Sequence, residues 1–264
     1  MRTALIGYTG FVGSNLAAAH GFDDLYNTSN IEQIAGQEYD LVVSAAARAD
    51  SHRINQDGAA DRAEIDAYVD LLSTVRASKL VLASTVCVYP GQTSPDESTP
   101  LSEDGLTPYG ANRLHMERRL GDAFDLLPVR LPQLYGRGIK KGIVYDLMND
   151  YRVEHIRPEG EFQYYDLRRL WADVQVALEH GLESLNIATP ALTSATIARE
   201  VFGRDISDQV IDGPENPMSR RYTRDMRTRH ADLFGGPDGY LMTAEEELDA
   251  VRAFLQDSRA GRLD

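Results

Sequence analysis

The chain has 264 residues, 42% of them hydrophobic, with one cysteine and a formal net charge of −14. This length suits one large domain or one domain with a small appendage, and the apolar share is enough for a real core. An acidic chain with intermixed charges repels nucleic acid and anionic membranes. A lone cysteine excludes a disulfide scaffold and multi-cysteine metal sites, and no apolar run reaches the length of a signal peptide or membrane span. The expectation is a cytoplasmic protein with a small-molecule partner, no nucleic-acid or membrane partner and no metal.

In chain order, residues 3–6 read as a buried strand, 11–19 as a helix, 24–26 as a weak strand and 31–35 as a short helix. Residues 41–46 form a strand, and 60–77 a long helix with Ile65, Tyr68, Val69 and Leu72 at helical spacing. A strand at 79–83 precedes a polar loop over 90–108, a helix over 109–120 and a strand over 123–130. Strands alternating with helices imply right-handed crossovers and a parallel sheet covered on both faces. Beyond residue 135 the pattern loosens. Helices are expected over 142–149, 167–180, 193–202 and 244–255, with a strand at 184–187 and irregular chain from 204 to 239. The expected division is 1–134 for the sheet domain and 135–264 for a smaller substrate-binding region, with 162–180 returning to the sheet domain.

Gly7-Tyr8-Thr9-Gly10-Phe11-Val12-Gly13 follows the first strand and opens the first helix. Glycines there allow a tight turn and close approach of backbone to a pyrophosphate, at a helix N-terminus that favours anions. The fold class is therefore α/β, a Rossmann-type doubly wound parallel sheet, and Gly7, Thr9, Gly10, Phe11, Val12 and Gly13 are candidate cofactor contacts. The spacing has one residue more between the first two glycines than the usual dehydrogenase fingerprint. The second strand ends in Tyr26-Asn27-Thr28-Ser29-Asn30, with no acid for the ribose hydroxyls of NAD and no arginine for a 2′-phosphate. Asn27 suits either cofactor, NAD or NADP, and the missing acid tilts the reading slightly to NADP. Ala45, Ala46 and Ala47 end a strand in small residues, which suits both a cofactor lying over the strand tip and plain helix–sheet packing.

Two further segments carry chemistry. Ala83-Ser84-Thr85-Val86-Cys87-Val88-Tyr89-Pro90 ends a strand, and Tyr109-Gly110-Ala111-Asn112-Arg113 starts a helix. Tyr109 and Arg113 are i and i+4 and share a helix face. A cation there favours the phenolate of Tyr109. With Leu134-Tyr135-Gly136 and Glu161-Phe162-Gln163-Tyr164-Tyr165-Asp166, these segments make residues 3–180 resemble the extended short-chain dehydrogenase/reductases of the NAD-dependent epimerase/dehydratase family. The resemblance implies a cofactor-binding role for Tyr109 and Arg113 as well as a catalytic one, with Tyr109 as acid–base and Thr85 hydrogen-bonding the reacting oxygen. It departs at Arg113, where the family pattern has lysine, and Arg differs from Lys in shape and hydrogen bonding.

Around Cys87 the chain is similar to the GDP-fucose synthase and GDP-mannose 3,5-epimerase branches, which implies that Cys87 takes a proton beside a transient ketone. The other reading of Cys87 is a small buried apolar residue. In the same resemblance Lys141 is the acid on the opposite sugar face; alternatively Arg137, Lys140 and Lys141 bind phosphate or face solvent. Arg220, Arg221, Arg224, Arg227 and Arg229 meet a diphosphate or form a solvated or partner-binding face. His52 and His115 read as surface or packing residues. The implied protein is an NAD(P)-dependent enzyme acting on a sugar or nucleotide sugar, an epimerase or epimerase/reductase. It is expected to form a homodimer through helices 60–77 and 109–120. The alternatives are a simple ketoreductase, a dehydratase, and a non-catalytic dinucleotide-binding protein.

Overall fold

The computed structural model describes residues 1–90, 94–211 and 223–263. In chain order the elements are β1 (Thr3–Ile6), α1 (Phe11–Ala19), β2 (Asp24–Tyr26), β3 (Glu38–Ser44), α2 (Ser51–Ile54), α3 (Gly58–Leu72), β4 (Arg76–Thr85), α4 (Pro108–Ala123) and β5 (Leu126–Leu131). They continue with β6 (Gln133–Tyr135), α5 (Ile143–Met148), β7 (Glu161–Phe162), β8 (Tyr164–Asp166), α6 (Leu170–Glu179), β9 (Leu185–Asn186), β10 (Leu192–Thr193), α7 (Ser194–Phe202), α8 (Ala231–Phe234) and α9 (Ala244–Arg259).

A six-stranded sheet runs in the order β2-β1-β3-β4-β5-β9. The pairings of β1 with β2 and β3, and of β3 with β4, are parallel. Both sheet faces are covered, so the central strands are continuous apolar runs; every residue of β1 is buried. Ile6, Val42, Leu80 and Leu82 pack with Ile65, Val69 and Leu72 of α3 and with Met116 and Leu120 of α4.

Several element ends differ from the sequence reading, each for a local reason. The long helix stops at Leu72, not Ala77. The Ser73 hydroxyl donates to the Val69 carbonyl at 2.9 Å and the Thr74 hydroxyl to that of Leu71 at 2.7 Å, closing the last turn. Residues 76–78 then join β4, whose start pairs with Glu38 and Tyr39 of β3. The early part of β3 alternates exposed Glu38 and Asp40 with buried Tyr39, so its charges disguised a strand that the apolar run placed at 41–46. It ends at Ser44, leaving the alanines beyond it. The strand expected from 123 begins at Leu126, because α4 runs on to Ala123 and the Phe124 N–H still reaches the Leu120 carbonyl at 2.9 Å.

The chain forms two compact units. The first comprises residues 1–90, 99–130 and 171–185, and the second 94–98, 131–170, 186–211 and 223–263. The second is built from short pieces: β6 pairs in parallel with β8, and β7 antiparallel with β10. Its core gathers Tyr135, Tyr164, Ile197, Val251 and Phe254. Thr243 and Glu246 form a reciprocal capping box that starts α9. Within this unit Glu97 accepts hydrogen bonds from the backbone N–H groups of Asn186 and Arg229 and from the Thr228 hydroxyl, pinning residues 94–98. None of the described helices is long and apolar enough to cross a membrane.

Candidate active site

The glycine loop turns where only glycine fits. Gly7 has φ +85°, and a Cβ there would lie 2.5 Å from the Ala45 carbonyl oxygen. A Cβ at Gly13 would lie 2.1 Å from the Gly7 carbonyl oxygen. The loop is therefore folded on itself backbone to backbone, against the strand end that carries Ala45, Ala46 and Ala47. Gly10 is the extended N-cap of α1, with no side chain capping the helix and no acid in its first turn. Thr9 is exposed, and Phe11 and Val12 are half-buried. This arrangement suits an anion at the N-terminus of α1.

At the tip of β2, the Asn27 side-chain oxygen accepts from the Ser29 N–H at 2.8 Å and from its hydroxyl at 2.6 Å. The Asn27 amide nitrogen lies 3.2 Å from the Tyr8 hydroxyl. Asn27 thus closes its own turn and ties it to the glycine loop.

The catalytic candidates Thr85, Cys87, Tyr109 and Arg113 all belong to the first unit. Thr85 is the last residue of β4, and its hydroxyl accepts from the Cys87 N–H at 3.2 Å, starting a 3-10 turn over Val86–Val88. Cys87 is a half-buried thiol in that turn. Thr107 caps α4 and Pro108 opens it, which places Tyr109 in its first turn. The Tyr109 N–H donates to the Asn55 side chain at 2.9 Å. Gly110 fixes the approach of the two segments, because a Cβ there would lie 2.2 Å from the Cys87 carbonyl oxygen.

Burial pushes the Tyr109 hydroxyl above its usual value; the charge of Cys87 pushes the same way, while Arg113 and hydrogen bonding with Thr85 oppose it. Arg113 does lie against Tyr109, its guanidinium carbon 4.9 Å from the ring centroid. Its terminal nitrogens are engaged elsewhere. Nη1 and Nη2 fork onto the two carboxylate oxygens of Asp61 at 3.2 and 2.9 Å, and Nη2 also donates to the Arg48 carbonyl at 2.7 Å. The pair is buried, Arg113 at 3% exposure and Asp61 at 7%. The Arg113 Nε–H is buried without a partner.

Asp61 was missed in the sequence reading. Its signal was its place four residues before Ile65, on the buried face of α3. A second buried pair was missed as well. Arg130 of β5 donates from Nε and Nη2 to Glu117 of α4 and from Nη1 to the Tyr89 hydroxyl at 2.7 Å, and Ser84 also donates to Glu117.

Lys141 lies in the second unit and is exposed, beside Gly142 at φ +98°. Arg227 pairs with Asp225 at 3.0 Å and stacks on the Tyr240 ring at 4.0 Å, so it is committed within its own unit. Arg220 and Arg221 lie outside the described residues, and Arg229 is exposed. His115 meets Asp66 at 2.7 Å and His52 is an exposed residue of α2. Among the described residues no cluster of His, Cys, Asp and Glu has metal-site geometry.

The parallel sheet, with a glycine loop folded back at its first strand and Thr85, Tyr109 and Arg113 gathered at the end of its fourth, makes this a Rossmann-type α/β protein. The sequence pattern of the NAD dependent epimerase/dehydratase family matches residues 22–166, over half of the chain, and the chain belongs to that family. None of the curated proteins matches it in sequence. Among solved structures it is similar to UDP-glucose 4-epimerase of Thermotoga maritima, at 15% identity with a TM-score of 0.76 and 99% of each chain covered. It is also similar to the NAD-dependent NDP-hexosamine 5,6-dehydratase TunA, at 17% identity and a TM-score of 0.75 over 98% of each chain. A dTDP-4-dehydrorhamnose reductase of Clostridium acetobutylicum is matched at 14% identity and a TM-score of 0.72, over 98% of this chain and all of that one. At these identities the likenesses establish the fold.

Proposed function

We propose that this protein is an NAD(P)-dependent enzyme that acts on a sugar or nucleotide sugar through a transient ketone, as an epimerase or epimerase/reductase. The observation that carries this reading is the placement of the Cys87 thiol in the turn that β4 sends against Tyr109, locked there by Gly110. A ketoreductase needs only the tyrosine and the hydroxyl of Thr85. A thiol beside them adds a base for a carbon acid.

A dinucleotide fits the residues present. The glycine loop leaves no room for a Cβ at Gly7 or Gly13, α1 begins without a side-chain cap, and the buried Nε–H of Arg113 awaits an acceptor. When bound, the nicotinamide supplies the hydride acceptor or donor. Gly7, Thr9, Gly10, Phe11, Val12 and Gly13 would hold the pyrophosphate, Asn27 and Ala45 to Ala47 the adenosine side, and Tyr109 and Arg113 the nicotinamide ribose. The tip of β2 carries no carboxylate to repel a 2′-phosphate, which supports NADP(H) slightly over NAD(H).

Thr85 orients the reacting oxygen. Tyr109 takes the alcohol proton on oxidation and returns one on reduction. Between these steps Cys87 removes the proton from the carbon beside the ketone, and a second acid on the other face returns one with inverted configuration. Solvent deuterium should enter the sugar carbon during turnover of a 4-keto nucleotide sugar with NADPH. An active enzyme that incorporates none is a plain ketoreductase. We also propose a homodimer through α3 and α4, to be checked by analytical ultracentrifugation; a monomer removes that element.

A further inference from the structure

We propose that Asp61 is a positioning residue of this site, acting through Arg113: it holds the guanidinium across Tyr109 and cancels most of its charge there. The proposal rests on the reading of Tyr109 as the acid–base group. Asp61 takes both terminal nitrogens of Arg113, and its own position is fixed from α4, because the Asn112 amide donates to it at 2.9 Å and to the Gly58 carbonyl at 2.7 Å. The two charged partners thus face each other across the α3–α4 seam, with the ring of Tyr109 beside them. A lone cation at that distance favours a phenolate. A cation forked onto a carboxylate presents a weaker field, so Arg113 still lowers the Tyr109 hydroxyl but by less than a lone cation would.

The other groups around Tyr109 do not supply the missing charge. The 3-10 turn offers Cys87, β4 offers the Thr85 hydroxyl, and the neutral Asn55 side chain holds the Tyr109 N–H. On α2, His52 and Arg53 are exposed, and on α3 Arg62 pairs with Glu103. Burial, the largest influence, also favours the phenol. The hydroxyl therefore keeps its proton in the cofactor-free protein. At neutral pH it is therefore poised to donate to a ketone oxygen, the reductive direction of the chemistry.

The test is the phenolate ultraviolet absorbance of the protein without cofactor or substrate, followed against pH and differenced against the same protein carrying Tyr109→Phe. Asp61→Asn should lower the Tyr109 midpoint by about one to three pH units. Asp61→Glu, which keeps the charge, should leave it within about half a unit of the parent. An unchanged or raised midpoint in Asp61→Asn overturns the proposal. If that variant does not fold, the neutral pair Asp61→Asn with Arg113→Gln decides. Its midpoint should match the parent's, and a rise of more than about one unit means that the Arg113 charge reached Tyr109 undamped. Because no turnover is measured, a failure here is distinct from a failure of the enzymatic reading, which shows as absent activity with any keto sugar.

Discussion

Two buried arginine–carboxylate pairs meet α4 one helical turn apart, and they differ in what they leave over. Glu117 is bound by Arg130, which also donates to Tyr89, and by the Ser84 hydroxyl. That pair ties β4, β5, α4 and the 3-10 turn together. Arg113 forks onto Asp61 in the same way but leaves its Nε–H without a partner and lies against Tyr109. The first pair is closed and acts as scaffold. The second is open on one side, at the Arg113 Nε–H. Buried ion pairs are not in themselves a sign of stability, since desolvation offsets the attraction, so their use is read from what surrounds them.

Breaking the closed pair should give the largest effect. Arg130→Met leaves Glu117 charged and buried, and denaturant unfolding should show a loss of about 3–5 kcal/mol. Tyr109→Phe lies beside the open pair and removes only a hydroxyl. Its turnover should fall by about 100- to 10,000-fold, with the thermal midpoint close to the parent's. Equal turnover would remove Tyr109 from the chemistry. Gly110→Ala probes the scaffold beneath both, since the added methyl meets the Cys87 carbonyl. A loss of about 1–3 kcal/mol is expected in the same unfolding assay.

Much of the local structure around the candidate site was legible because its parts are local. The glycine loop, α1, Thr85 at a strand end and Tyr109 at a helix start are each specified by neighbours within a few residues. The partners of Arg113 were not. Asp61 and Arg48 come from distant stretches of chain, and only the packing of α3 on α4 brings them to it. In the sequence, Arg113 was a charge waiting for a phenol; in the fold its charge is already matched. The same limit hid Glu117 and Arg130, whose meeting depends on β5 lying next to β4. The short strands β6, β7, β8 and β10 carry too few residues to show a period, and Glu97 gave no local sign that it would pin residues 94–98.

A third buried carboxylate sharpens the comparison from the other unit. Glu247 accepts from the Tyr164 N–H at 2.7 Å and from the Thr189 hydroxyl at 3.1 Å, and its second oxygen has no partner. With burial dominant, its carboxyl is pushed well above the usual range, so the folded protein keeps it protonated where the unfolded chain has lost the proton. The raised value contributes stability that is fully present below the unfolded value, about 4.5, and is lost as pH rises through the folded one. Glu247→Gln should therefore unfold with a weaker pH dependence above about pH 4.5, the parent losing stability relative to it as pH rises. Parallel curves would mean that the carboxyl is ionised in the fold. This is the smallest of the expected effects.

The last strand of the six-stranded sheet is β9, at Leu185–Asn186, and it pairs with β5. A growing polypeptide reaches the ribosome exit in chain order, so β5 is made long before the neighbour that covers its edge. In between come α5 and the short strands that belong to the other unit. The nascent sheet therefore carries an unpaired edge, a template for wrong pairing, while residues 131–170 of the other unit and then α6 are added. For this protein the interval between β5 and β9 is the stretch of synthesis in which a chaperone has most to protect.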